Sequence, residues 1–177
     1  MNRLRNKPGI TALLAFAAIL SGNALAAEEA TIRAFSAWDG QGRTIQTGEN
    51  EATFIGAISG RLYVETDNGP VDVGQLLCPA TARINLRDSS QSAHGSCTIV
   101  GTDSSRAFGD FQCKGVHLVG CDGELTFTGG TGRFTGITGG GHFGLRSNFR
   151  SVAMASGGPP EIATGIIYWR ELHYKLP

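Results

Sequence analysis

Charge imbalance, metal-spaced cysteines, long apolar runs and helix-forming stretches are all scarce or missing in this chain. The 15 basic and 15 acidic residues cancel. There is accordingly no electrostatic footprint for nucleic acid and no polybasic patch for anionic lipid. No Cys-x-x-Cys pair occurs, and the spacings of 19, 16 and 8 between successive cysteines fit no common zinc module. No metal is expected. No Gly-x-Ser-x-Gly elbow supports a serine nucleophile. The glycines from Gly129 to Gly136 come without the Walker lysine, a following helix or the Gly-x-Gly-x-x-Gly spacing. A phosphate cradle and a nucleotide cofactor are therefore not indicated, and no cofactor is expected. No apolar run approaches the roughly 20 residues of a membrane-spanning helix. No repeat of fixed period points to a propeller or solenoid.

The first 26 residues read as an address rather than structure. Arg3, Arg5 and Lys7 form a positive segment, Ile10 to Leu20 an apolar one, and Ala24-Leu25-Ala26 a small-residue cleavage pattern. This is a secretory signal peptide of the Sec type. Cysteine is missing near the cleavage region, which excludes a lipoprotein anchor, and Arg3 and Arg5 are not adjacent, which disfavours the twin-arginine route. Cleavage after Ala26 leaves residues 27–177 as one mildly acidic domain, secreted or periplasmic, without a stable membrane anchor.

Glycine is the abundant residue, 26 in all, and in the exported part it reaches about twice the usual share. With Thr, Ser, Val, Ile and Phe also plentiful, the chain reads as short strands joined by tight turns. Ile32, Ala34, Ser36 and Trp38 alternate with Thr31, Arg33, Phe35 and Ala37. Asp39-Gly40-Gln41-Gly42 then reads as a turn. Ala52 to Ile58 and Arg61 to Thr66 read as a hairpin about Ser59-Gly60, and Pro70 bars a continuing central strand. Val71 to Leu77 is ambiguous between strand and helical turn, Ala82 to Leu86 is a strand, and Ser89 to Ser96 is polar loop. Cys97 to Thr102 and Ala107 to Gln112 form a second hairpin about Ser104-Ser105. Glu124 to Thr128, Gly141 to Ser147, Phe149 to Ala155 and Ile162 to Tyr174 complete the set, with Gly157-Gly158-Pro159-Pro160 as a break. That makes about nine or ten strands and almost no helix. So much sheet must hide its edges in a sandwich or a barrel, and the long last strand pairing back to an early one favours the barrel. The fold class expected is an all-β small antiparallel barrel of about eight or more strands.

The segment Phe127-Thr128-Gly129-Gly130-Thr131-Gly132-Arg133-Phe134-Thr135-Gly136-Ile137-Thr138-Gly139 resembles the Gly-Gly-Thr-Gly-Arg-Phe turn of allene oxide cyclase-like and dirigent-like proteins. The resemblance implies a small eight-stranded antiparallel β-barrel, and this chain would be a bacterial secreted relative. Some plant members of that group are cyclases or stereochemical guides for radical coupling. The carboxylate, tyrosine and arginine groups those enzymes use lie outside this turn, so no catalytic residue is carried over. The turn has its own physical reading. Gly129, Gly130 and Gly132 accept backbone angles closed to other residues, and Gly136 sits where the chain must turn sharply or approach another backbone closely. Phe134 plugs back into the core, and Arg133 caps the rim.

Cys78, Cys97, Cys113 and Cys121 form an even set in an exported chain, which points to disulfides. Of three connectivities, Cys78–Cys97 with Cys113–Cys121 is preferred, the second bridge closing a short loop through Gly115 and Gly120. Cys97–Cys113 is a rival, because a turn at Ser104 to Arg106 would set those two opposite each other.

Two groups of side chains carry possible chemistry. Glu124, His142 and Arg146 share strand faces and form an acid–base set if those faces point inward. If the faces point outward, these residues are solvated sheet surface. Tyr168, Trp169 and Tyr174 are candidates to floor an apolar ligand cavity, or else are barrel core and rim. The absence of a convergent catalytic cluster favours an exported barrel that binds a small apolar molecule or serves as an envelope or extracellular module. The alternative is an isomerase or cyclase acting through a shaped cavity. Oligomers are compatible with either.

Overall fold

A computed structural model describes residues 27–151 and 160–177. The predicted signal peptide, the Gly157–Pro159 part of the predicted break and the C-terminal part of the strand expected from Phe149 to Ala155 lie outside these residues. Eight strands close into one antiparallel barrel, each paired with its neighbours in the chain and the last with the first. They are β1 (Glu28–Gly48), β2 (Glu51–Thr66), β3 (Gly69–Asn85), β4 (Ser90–Gly101), β5 (Arg106–Val116), β6 (Gly120–Thr131), β7 (Thr138–Ser151) and β8 (Glu161–Leu176). One short 3-10 turn, Gly132–Phe134, sits between β6 and β7. Closure runs through the β1–β8 pairing, from Glu28 opposite Leu176 to Gly42 opposite Glu161.

The strands are fewer and longer than the sequence suggests. Asp39–Gly42 is not a turn, because β1 runs through it. Gly40 lies against Ile58 and Trp38, and Gly42 lies where the Phe54 ring leaves no room for a Cβ. Ser59-Gly60 is likewise inside β2, with Gly60 opposite Trp38. Gly40 and Gly42 make space beneath large inward side chains, and Gly60 lets the Ala37 carbonyl and the Ser36 hydroxyl come close, both uses that glycine has where barrel strands bend. Pro70 begins β3 rather than ending a strand, opposite Glu65 near its start. Ser89–Ser96 is mostly β4, whose Ala93 and Gly95 face Ala82 and Ala80 of β3 across the pair.

Alternation sets the two faces. On β1 the even positions Ala34, Ser36 and Trp38 are buried while Arg33 and Ala37 are exposed. Tyr63 and Phe35 stack on the outer wall at 5.3 Å. The outer wall carries ion pairs such as Arg33–Glu65 at 3.1 Å and Arg83–Glu51 at 3.0 Å. Apolar inside and charged outside is the reverse of a barrel whose wall meets lipid.

Leu76, Leu125, Phe143 and Trp169 are all nearly fully buried. Phe143 meets Phe111 edge-on and tilts against Trp169, each at 6.0 Å between centroids. Aromatic contacts of this geometry stabilise beyond their area. Each of the four residues stands midway along its strand, so together they plug the middle of the barrel and leave a space at either mouth.

Both disulfides of the preferred pairing are present. Cys78–Cys97 ties β3 to β4 and Cys113–Cys121 ties β5 to β6. The rival pairing fails on register: Cys97 is opposite Gly109 and Cys113 opposite Ala93. Gly123 clears the space that the Cys113 side chain occupies.

Candidate functional site

One mouth of the barrel is framed by the β2–β3, β4–β5 and β6–β7 connections and by both ends of the sheet. Here the interior opens into a cup of about 360 Å³. Its wall is aliphatic and aromatic, including Ile32, Leu62, Val64, Val73, Phe127, Ile137 and Leu172. Glu28, Thr66, Arg133 and Tyr174 are the polar residues around it. The volume falls within the roughly 300–1,000 Å³ of small-molecule sites, and an apolar wall with few polar groups is their usual make-up.

The Gly-Arg-Phe turn is bolted over this mouth by the β4–β5 hairpin. The Ser105 hydroxyl accepts from the Arg133 N–H at 3.1 Å and donates to Asp103 at 3.0 Å. Asp103 also takes the Ser105 N–H at 3.1 Å and pairs with the Arg133 guanidinium at 3.5 Å. The Ser105 N–H is the main cause that holds the Asp103 carboxyl below its ordinary value, although desolvation opposes it. Gly132 has φ +61° and a Cβ there would strike the Ser105 hydroxyl. Only glycine fits both the angle and the space. Gly130 works differently from the sequence expectation: it is absent from the positive-φ positions, and its role is close approach to Phe134 and Arg106. Phe134 packs against the core from the mouth, with the Arg133 guanidinium 4.7 Å from its ring centroid.

Tyr174 supplies the polar handle of the cup. Its hydroxyl donates to Glu28 Oε1 at 3.2 Å. Burial, then the Glu28 charge and this hydrogen bond, push the phenol above its ordinary value, while Arg133 pulls it back. Of the three predicted cavity aromatics, Tyr174 alone lines the cup. Trp169 belongs to the central plug. Tyr168 is on the outer wall, its ring over Gly144, since adjacent residues of a strand face opposite ways.

The outer wall also holds Glu124, His142 and Arg146. They come together in an open groove of about 910 Å³ where Gly139, Gly140, Gly141 and Gly144 leave the backbone bare. His142 pairs with Glu124 at 3.1 Å and Arg146 with Asp122 at 3.3 Å, all four side chains roughly half exposed or more. This is the outward of the two orientations open at the sequence level. Exposed pairs of this kind contribute about 0–1 kcal/mol.

The opposite mouth contains two residues that motif reading passes over as site residues. Glu161 is 1% exposed, and both of its carboxylate oxygens lack a hydrogen-bond partner among the described residues. It lines a cavity shared with His117, Trp38 and Phe111. Burial is the main cause holding the His117 imidazole below its ordinary value, with the Glu161 charge acting against it. Stepping back by twos from Trp169 through Ile167, Gly165 and Ala163 reaches Glu161, so the alternation of β8 held the signal. Among the described residues no cluster of His, Cys, Asp and Glu could hold a metal ion, and no helix is long and apolar enough to cross a membrane.

The site and fold define a closed, eight-stranded antiparallel barrel with an apolar cup at one end. No protein-family model and no curated protein matches the chain. Among solved structures it is similar to a pterocarpan synthase dirigent protein, at 10% identity and a TM-score of 0.33, over 93% of this chain and 97% of that one. At that TM-score the likeness carries no argument, and the barrel stands on its own strand pairing.

Proposed function

We propose that this is an exported binding protein for a small, mainly apolar molecule. The body of the ligand sits in the cup and its polar end lies beside Tyr174 and Arg133. The single observation behind this reading is the aliphatic cup of about 360 Å³ at a mouth whose rim is fixed by the Asp103–Ser105–Arg133 contacts. Export to a secreted or periplasmic location is supported by the residues of the N-terminal address and by two disulfides, which persist in oxidising compartments. In this reading Glu124, His142 and Arg146 serve the outer surface.

An isomerase or cyclase would use the same cup. The observation in its favour is Tyr174, whose hydroxyl burial keeps protonated beside the apolar cup, where its single proton can pass from Glu28 to a substrate oxygen.

Native mass spectrometry of protein purified from its own host tests the binding reading. A co-purifying molecule that is lost in the cup-filling variant Val73→Trp supports it. An empty wild-type protein that also fails to take up a lipophilic fluorescent probe sinks it. Release of a chemically altered molecule would move the reading to the enzyme.

A further inference from the structure

The cavity at the Glu161 mouth is left unused by the ligand reading above and is separated from the cup by the central plug. Its volume is about 110 Å³. Each water in the liquid takes about 30 Å³, so three or four water-sized groups fit. Glu161 lines this space, buried, with neither carboxylate oxygen bonded among the described residues. A carboxylate buried without donors or a counter-charge is costly.

The surrounding wall does not provide a compensating cation. The Gln91 amide is committed to the Gly120 carbonyl at 3.3 Å. His117, the basic side chain of the wall, is held by burial below the ordinary histidine range, hence neutral near pH 7. Trp38, Phe54 and Phe111 bring aromatic rings to the same space, and such rings attract organic cations as well as covering alkyl groups.

We propose that this cavity is a second binding site, for a small organic monocation: a primary ammonium with about three carbons, its charge met by Glu161 and its alkyl chain by the aromatic wall. Ammonium N–H groups supply the donors that both carboxylate oxygens lack. The site is independent of the cup, so either can fail without the other.

Propylammonium and n-propanol test it, being close in shape and different in charge. Each is titrated into the oxidised full chain and followed by proton–nitrogen correlation spectra, including the Trp38 indole. Saturable shifts at the cavity wall are expected, with propylammonium at least about tenfold tighter than n-propanol, the gain of a charge-assisted hydrogen bond. In Glu161→Gln that preference falls to near unity, with circular dichroism confirming that the barrel is intact. The inference is overturned by equal affinity for the two probes, by an undiminished preference in folded Glu161→Gln, by shifts confined to the cup, or by no saturable binding. The wild-type comparison decides the matter even if the variant does not fold.

Discussion

The Tyr174 hydroxyl donates to Glu28 Oε1 at 3.2 Å, joining the last strand to the first across 146 positions of sequence. It ties the apolar cup to the seam of the barrel, which Thr31 and His173 also bridge at 2.7 Å. Tyr174→Phe keeps the ring and removes the bond, and should cost about 1 kcal/mol in denaturant unfolding. The same bond has an alkaline signature. The folded phenol titrates above the unfolded one, so its contribution is complete below the unfolded value near 10 and is lost as pH rises through the folded value. Ultraviolet titration should show a tyrosine ionising above the ordinary value, and Tyr174→Phe should delete that step.

His117 gives the opposite dependence at the other mouth. Its folded value lies below 6.5, chiefly through burial. The unfolded chain therefore binds the proton first, and stability is complete above pH 6.5 and declines as pH falls through the folded value. Thermal unfolding of His117→Asn should show a shallower loss over that acid range than wild type. Equal slopes would remove His117 from the account.

Gly132→Ala places a Cβ at φ +61° against the Ser105 hydroxyl. The backbone angle alone should cost about 1–2 kcal/mol, with more from displacing Ser105. Because the Gly-Arg-Phe turn overhangs the cup, probe binding should weaken along with stability. A variant as stable as wild type would show that the turn is not held as described.

Adjacent residues of β7 offer a sharp contrast. Phe143→Ala should cost about 3–5 kcal/mol, as a large core side chain removed from a plug. His142→Ala, on the outer wall, should cost less than about 1 kcal/mol. Chemical denaturation of the two variants reads the inside–outside assignment directly.

Removing either disulfide as a paired Cys→Ser change should cost about 2–4 kcal/mol. Cys78–Cys97 spans 19 residues and Cys113–Cys121 spans 8. The larger loop should matter more, by less than about 1 kcal/mol, and calorimetry of the two double variants would rank them.

Much of this barrel could be read from residues alone. The alternation of Ile32, Ala34, Ser36 and Trp38 with their neighbours is the two-faced pattern that β1 shows. The cysteine pairing came out as expected, whereas Gly130 in the glycine turn serves close approach rather than a positive φ. The errors share one cause. Glycine in a globular chain signals a turn, but Gly40 and Gly42 lie inside strands as hollows for Trp38, Ile58 and Phe54, and Gly60 lies inside a strand against the Ala37 backbone and the Ser36 hydroxyl, roles visible only once register is fixed. For the same reason Glu124, His142 and Arg146 could not be oriented beforehand. A register slip of one residue exchanges the two faces. Glu161 escaped notice because an acid at the start of a strand beside Pro160 looks like rim, and only the parity of β8 turns it inward.

The aromatic and leucine barrier at mid-height makes the barrel a vessel with two compartments rather than a tube. Nothing entering at Tyr174 touches what sits beside Glu161. Occupants of the two ends should raise the melting temperature by increments that add, each blind to the presence of the other.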